Sequence, residues 1–275
     1  MELEGQLEAI RKRGLGLAAV SYDSVDILRE FAARRGIGFP LLSDPGSEVI
    51  RRFGLLNPEY PPGDRAHGVP YPGTFVTDAA GVIRARFFEK TYVERRTAGS
   101  FLAVAGDIPK EHAEEIGTKA FALRTSLSNT AAAPGQRLTL VLDFEMQPTM
   151  HAYAPGVTGY RPLALRLDPQ PLVTAHETAF PSSRPYLFVP LDETVPVFEG
   201  RFRVTRDVTL VGGRDPALVE ALKSPDPRLE LRGTLEYQVC SDRVCLPPAT
   251  LPLSWTVKLL PLDRERSPQA IQHKP

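Results

Sequence analysis

Cysteine is nearly absent from this chain, long apolar runs are missing altogether, and neither sign of charge is in excess. Each absence excludes something. With 33 basic and 33 acidic residues the net charge is zero, so the chain has no one-signed field of the kind that gathers nucleic acid or acidic substrates. No apolar run approaches the ~20 residues that a membrane-spanning helix needs. His67, His112, His151, His176 and His273 show no i, i+3 or i, i+4 ligand spacing, and the sequence has no second cysteine pair. A zinc site usually takes about four ligands, so no metal is expected, and no cofactor-binding motif is present. The amino terminus, Met1-Glu-Leu-Glu-Gly, starts directly in helix-like sequence without a signal-peptide pattern.

What is present is concentrated. The two cysteines, Cys240 and Cys245, both lie in Tyr237-Gln-Val-Cys-Ser-Asp-Arg-Val-Cys-Leu-Pro-Pro248. Leu235, Tyr237 and Val239 alternate with polar residues before the first cysteine. Leu251, Leu253, Trp255, Val257 and Leu259 alternate after the second. If these runs form one antiparallel hairpin, Cys240 and Cys245 close its loop. Directly opposed antiparallel residues have Cα atoms roughly 4.5–5.5 Å apart, within the roughly 4.4–6.8 Å that a disulfide demands. The geometry permits a bond, and a redox-active pair is the leading reading.

Three others stay open. A structural staple closing a loop of about six residues contributes only about 2 kcal/mol. A metal site has few candidate ligands. Inert core thiols are common, but a turn holding Ser241, Asp242 and Arg243 is expected at the surface. Arg243 favours a thiolate beside it and Asp242 opposes one.

At 275 residues the chain is long enough for two domains. Residues 1–106 alternate helix and strand: a helix carrying Leu3, Leu7 and Ile10, a strand at Leu15–Tyr22, and a helix capped by Asp23 or Ser24. A strand at Phe39–Leu42 and a helix opened by Asp44-Pro45 follow. Then come a hairpin around Ala79-Ala80-Gly81 and a last helix near Val93–Ala105. That order predicts a mixed sheet with helices on its faces. Residues 107–117 are expected to be a linker, and 118–262 an all-β sandwich with strands at Arg137–Phe144, Pro162–Asp168, Arg201–Thr205, Asp207–Leu210, Arg228–Val239 and Thr250–Leu260. Residues 263–275 are expected to be a disordered tail.

The first domain resembles the peroxiredoxin-like AhpC/TSA (redoxin) branch of the thioredoxin fold. The resemblance is carried by Gly14-Leu-Gly-Leu-Ala-Ala-Val-Ser-Tyr-Asp23, Phe39-Pro-Leu-Leu-Ser-Asp-Pro45 and Gly68-Val-Pro-Tyr-Pro-Gly-Thr-Phe-Val-Thr-Asp78. It implies that Pro72 stands where the family places a proline beside its active cysteine, with Tyr71–Pro72 a candidate cis peptide. The family's reactive cysteine follows a first strand. This chain opens inside the helix after it, and residues 1–230 contain no cysteine. Peroxide and disulfide chemistry needs a thiolate, so the domain as written is no peroxidase. Two readings stay open. Either the domain is a relic serving as a scaffold or docking surface in a non-catalytic binding protein with a structural disulfide, or a start upstream of Met1 supplies the missing strand, a cysteine and an export signal. The helix start favours the second.

Residues 118–260 resemble the N-terminal immunoglobulin-like domain of the transmembrane disulfide reductase DsbD. The cysteine motif carries the resemblance, with Met150-His-Ala-Tyr-Ala-Pro155 as a second, weaker match. It implies a thiol–disulfide oxidoreductase in which Cys240 and Cys245 relay electrons through a mixed disulfide with a thioredoxin-fold or DsbD-type partner. It also implies a periplasmic or exported setting, which the amino terminus does not announce. Tyr237 either packs over the pair or belongs to the core, and His151 reads as a strand residue rather than a general base. Relatives shield their pair with an aromatic cap, for which Phe198-Glu-Gly200 or Tyr186-Leu-Phe188 are candidates.

Overall fold

Short capped helices and three-residue strands build the amino-terminal part of the chain. The computed structural model describes residues 2–64, 66–89, 92, 94–104, 113–188, 192–262 and 268–271. It divides into two compact units, Met1–Arg95 with Asp263–Pro275, and Arg96–Leu262.

In the first unit, α1 (Glu2–Gly5) and α2 (Leu7–Lys12) lead into β1 (Ala19–Ser21), α3 (Val25–Arg35), β2 (Leu41–Ser43) and α4 (Glu48–Arg52). Ser24 caps α3 by accepting from Ile27 N, and Gly36 ends the helix in the left-handed conformation that glycine adopts without strain. Asp44 works differently from a simple cap followed by proline. Its two carboxylate oxygens accept from Glu48 N and Ile50 N, each at 2.9 Å, across the intervening Pro45-Gly46 turn, so the helix starts at Glu48.

Strands β1 and β2 pair in parallel. β3 (Gly73–Thr77) and β4 (Ile83–Phe88) form an antiparallel hairpin whose turn is tied by Asp78, with Gly81 at positive φ. The expected single mixed sheet is absent among the described residues: these are two separate two-stranded sheets. Ladders of three to five residues with no described strand between them leave each pair by itself. The Tyr71–Pro72 bond is also not cis, since no described peptide bond is. Tyr71 N donates to Leu55 O and Pro72 O accepts from Glu89 N, so the trans backbone feeds straight into β3.

The second unit begins beside β5 (Arg95–Arg96) with α5 (Ala98–Val104), the last helix read from the sequence, which packs against a strand of this unit. Of the expected linker, residues 107–112 lie outside the described residues and β6 (Ala113–Gly117) is a strand. Residues 263–267 and 272–275 of the expected tail are likewise outside, and Gln269–Ile271 is a single 3-10 turn.

Then follow β7 (Phe121–Leu127), β8 (Ala131–Ala132), β9 (Gln136–Met146), β10 (His151–Tyr153), β11 (Ala164–Leu167), β12 (Val173–Ala179), β13 (Arg184–Phe188), β14 (Glu193–Glu199) and β15 (Arg201–Leu210). After α6 (Pro216–Ala221), capped by Asp215, come β16 (Arg228–Tyr237), β17 (Val239–Cys240) and β18 (Ala249–Leu259). Three strand paths result: β12-β15-β9-β7-β6, β11-β16-β18-β8 and β13-β14-β10-β17.

Alternation places Leu123, Leu140, Leu142, Leu231, Leu235 and Trp255 in one continuous core between the sheets. Trp255 Nε1 donates to Thr125 Oγ1 at 2.8 Å, so the only indole in the chain is paired although buried.

Candidate functional site

The β16–β18 hairpin stays in register from Arg228↔Lys258 to Tyr237↔Ala249 and then parts. Beyond Gln238 the chain leaves that sheet, and β17 pairs instead with β10 at the edge of the third sheet. The cysteine turn is therefore carried at the point where one strand crosses between sheets. Gln238 braces this neck: its Nε2 donates to Leu246 O at 3.4 Å, and its Oε1 accepts from Arg161 N at 2.9 Å.

Cys240 and Cys245 are joined in a disulfide with Cα atoms 4.0 Å apart. The four-residue turn between them is closed by Ser241 N donating to Val244 O at 2.8 Å, and Ser241 Oγ accepts from Arg243 N and Val244 N. Leu246 N donates to Val239 O at 2.9 Å, completing the hairpin.

The two sulfur-bearing residues sit in unlike surroundings. Cys240 is 1% exposed, whereas Cys245 and the turn residues Asp242, Arg243 and Val244 are exposed. Alternation along β10 and β17 turns Ala152 and Val239 into the sandwich core, and His151, Tyr153 and Cys240 to the opposite face. There Tyr153, Val195, Val197 and Cys240 form a second apolar cluster, flanked by Val157, Tyr160 and Tyr186.

Tyr153 Oη donates to Cys240 Sγ at 3.1 Å and lies 3.7 Å from Cys245 Sγ. Tyr160 stacks on Tyr153 with ring centroids 4.2 Å apart, and its hydroxyl donates to Glu193 Oε2 at 3.0 Å. Burial, with Tyr160 and Glu193 nearby, holds the Tyr153 phenol well above its ordinary value, so it is a hydrogen-bond donor at neutral pH. The bond to Glu193 and burial raise Tyr160 as well.

The sequence-expected residues are distributed as follows. Cys240 and Cys245 are together; Asp242 and Arg243 stand exposed in the turn, 3.8 Å apart as an ion pair. Tyr237 does not close over the sulfurs: its ring meets Phe121 edge-on at 5.0 Å at the margin of the main core. Pro72 belongs to the first unit. Of the two candidate caps, Phe198 is buried in the main core, stacked on Phe202, while Tyr186 joins the cysteine cluster from β13.

Tyr153, Tyr160, Glu193 and Gln238 carried no role in the sequence reading. Their signal was the period-two spacing of His151 and Tyr153 within Met150–Pro155. Nothing in the sequence said that this short strand pairs with the cysteine strand.

Comparison with known families identifies both parts. Residues 1–86 match the AhpC/TSA family, and residues 123–253 match the family described as thiol:disulfide interchange protein DsbD, N-terminal. The chain is a thioredoxin-like AhpC/TSA region followed by a DsbD-type immunoglobulin-like domain. A Mycobacterium tuberculosis protein named as a peroxiredoxin, found in two strains, is 37% identical over 70 residues, which is 26% of this chain and 44% of the relative. The chain thus spans less than half the length of the curated relatives it matches.

Among solved structures, the N-terminal periplasmic domain of ScsB from Proteus mirabilis is similar at 12% identity and a TM-score of 0.36, covering 51% of this chain and 49% of that one. The reduced N-terminal domain of DsbD from Neisseria meningitidis is similar at 18% identity and a TM-score of 0.26, covering 51% and 90% respectively. Both matched families are redox-related, and the cysteines of this chain lie in the DsbD-type domain.

Proposed function

We propose that the DsbD-type domain is a thiol–disulfide exchange module, an oxidoreductase that passes electrons between its Cys240–Cys245 pair and a thioredoxin-fold or DsbD-type partner. The observation that carries this reading is the asymmetry of the pair. Cys245 is exposed, while Cys240 lies 1% exposed beneath the tyrosine cluster. An incoming thiolate reaches Cys245 Sγ. As the new S–S bond forms, the electron pair of the old one leaves with Cys240 Sγ, where the Tyr153 hydroxyl donates to the developing thiolate. Attack of the partner's second thiolate on the partner's own sulfur in the mixed disulfide then forms the partner's disulfide, and the electron pair of the broken bond leaves with Cys245 Sγ. The chain gains two electrons and two protons, and the partner is left with a disulfide.

Exchange running the other way uses the same atoms in reverse. Val244, 57% exposed beside Cys245, offers the partner an apolar contact at the point of attack. The AhpC/TSA region contributes no thiolate, because residues 1–230 hold no cysteine; its role in this reading is to dock or scaffold.

The test is the midpoint potential of the pair, read by maleimide gel-shift across glutathione or dithiothreitol redox buffers. A midpoint of roughly −120 to −270 mV is expected, the range of exchange proteins. A bond that resists reduction below about −300 mV makes it a structural staple and overturns the reading. Cys240→Ser and Cys245→Ser are each expected to abolish transfer while leaving the fold intact, and transfer retained by both would equally overturn it.

A further inference from the structure

One buried group beside the disulfide is unexplained by the exchange reading. His151 is 2% exposed, and its Nδ1 is buried with no hydrogen-bond partner. Buried polar atoms are nearly always paired, so an orphan calls for a cause. His151 is the direct cross-strand partner of Cys240 in the β10–β17 ladder, and it stands two residues from Tyr153 on the same face. Opposed side chains in such a ladder have Cβ atoms about 4.5–5.5 Å apart. Its ring packs 4.2 Å from that of Tyr186 and edge-on at 5.5 Å to that of Tyr153, which fixes it in the cluster around the buried sulfur.

We propose that His151 is the proton acceptor for Cys240: its Nδ1 accepts a hydrogen bond from the Cys240 thiol in the reduced pair and takes that proton as Cys240 attacks Cys245. The inference rests on the exchange reading above. In the disulfide form Cys240 carries no S–H, so Nδ1 has no donor across the strand. Reduction creates that donor, and the orphan nitrogen is then a partner held ready in the oxidised state.

The chemistry balances. In the direction that delivers electrons, the Cys245 thiolate attacks a partner disulfide, and one partner sulfur leaves as thiolate. Cys240, still S–H, then passes its proton to His151 Nδ1 as its sulfur attacks Cys245 Sγ. The bond from Cys245 to the partner breaks, its electron pair leaves with the partner's second sulfur, and the imidazolium gives its proton to that thiolate or to water. Two electrons have moved from the cysteine pair to the partner.

The other groups facing His151 do not compete for this role. Glu199 is its partner on β14 and is exposed; Tyr186 faces it from β13, Tyr153 from its own strand and Cys240 from β17. Beyond Tyr153, Tyr160 and Glu193 are bonded to each other, and Asp242 and Arg243 sit exposed in the turn. Burial lowers the His151 imidazole, opposed in part by Glu199, so it enters the reaction neutral and able to accept.

The experiment uses the full chain, reduced, mixed by stopped flow with the aromatic disulfide 5,5′-dithiobis(2-nitrobenzoate). The first thiolate released reports attack by Cys245, and the second reports resolution by Cys240. In the wild type the second phase is expected to accelerate with pH through the imidazole titration. In His151→Gln it is expected to slow about 100-fold relative to the first phase and to lose that pH step. An unchanged second phase overturns the proposal.

A measurement without substitution stands beside it. The 15N resonance of His151 Nδ1 is expected to move on reduction of the wild type, as the nitrogen gains a donor; an identical Nδ1 signal in both redox states overturns the proposal. Failure of the exchange reading shows elsewhere, in the wild-type midpoint potential, so the two failures are distinct.

Discussion

Tyr153 and Cys240, 87 residues apart in sequence, meet in a hydrogen bond of 3.1 Å from phenol to sulfur. The phenol is buried, so it donates into a site from which water is largely excluded, where a hydrogen bond to an ionised acceptor is strengthened. Hydrogen bonds to charged groups contribute about 1.5–3 kcal/mol. Tyr153→Phe keeps the ring and removes the donor from the sulfur that leaves as thiolate. Thiolate attack on the oxidised pair is expected to slow by at least about tenfold, the conversion of 1.4 kcal/mol into rate. Near-ultraviolet circular dichroism is expected to stay native. The check is the rate of reduction by dithiothreitol, and an unchanged rate in a folded variant removes Tyr153 from the mechanism.

The difference between the two cysteines makes a separate prediction. Cys245 lies in the exposed turn and Cys240 is 1% exposed. Access and thiolate character govern thiol reactivity. Cys240→Ser leaves the accessible sulfur and Cys245→Ser leaves the shielded one, so iodoacetamide is expected to alkylate the first variant at least about tenfold faster than the second. Mass spectrometry of timed samples reads the ratio. Equal rates would mean that the tyrosine cluster opens freely in solution.

Much of the site was legible in the sequence, and the limit lies at one residue, Gln238. The alternation of Leu235, Tyr237 and Val239 against Leu251 and Leu253 announced the hairpin, and the observed register confirms it as far as Tyr237↔Ala249. Alternation is blind to which sheet a strand pairs with, because a strand that changes partners keeps its period of two. So β17 read as the end of β16, and although His151 read as a strand residue, its short strand His151–Tyr153 was not assigned as the partner of the cysteine strand.

Tyr237 fell the other way for the same reason. It precedes the switch, so it packs with Phe121 in the main core rather than with the sulfurs. In the first unit the helix and strand runs were readable from their caps. The join between β1–β2 and β3–β4 was not, since sheet continuity depends on neighbours that local pattern does not name.

The buried imidazole predicts how stability responds to acid. Burial is the larger influence on His151 and lowers it from its ordinary value near 6.5, against the opposing pull of Glu199. The unfolded chain therefore binds the proton at higher pH than the folded one. The His151 contribution is intact above the unfolded value and is lost as pH falls from there through the lowered folded value. The urea midpoint is expected to drop between about pH 7.5 and about pH 5, and to drop less in His151→Gln. An equal drop in both proteins would show that His151 titrates as freely when folded as when unfolded.

Gly99 decides how α5 is held to the sandwich. Helix propensity alone favours alanine over glycine by about 1 kcal/mol, so Gly99→Ala on an exposed helix would stabilise. Here a Cβ at Gly99 would collide with Ser128 O and Asn129 Oδ1. The first obstacle is backbone and cannot rotate aside. Nor can the helix simply lift, because its first turn is tied down. Thr97 N donates to Arg137 O at 3.1 Å, Ser100 Oγ donates to the same carbonyl at 3.0 Å, and the hydroxyls of Thr97, Ser100 and Ser128 lie within 3.3 Å of one another. Both Thr97 and Ser100 are fully buried, so lifting α5 would strand their polar groups. Overpacking of this kind costs about 1–3 kcal/mol, which exceeds the propensity gain. Gly99→Ala is therefore expected to destabilise, read as a lower urea midpoint at unchanged slope. Because α5 packs against β9 while the cysteines lie on the third sheet, the midpoint potential of Cys240–Cys245 is expected to stay where it is. A variant as stable as the wild type would show that α5 does not sit against Ser128 in solution.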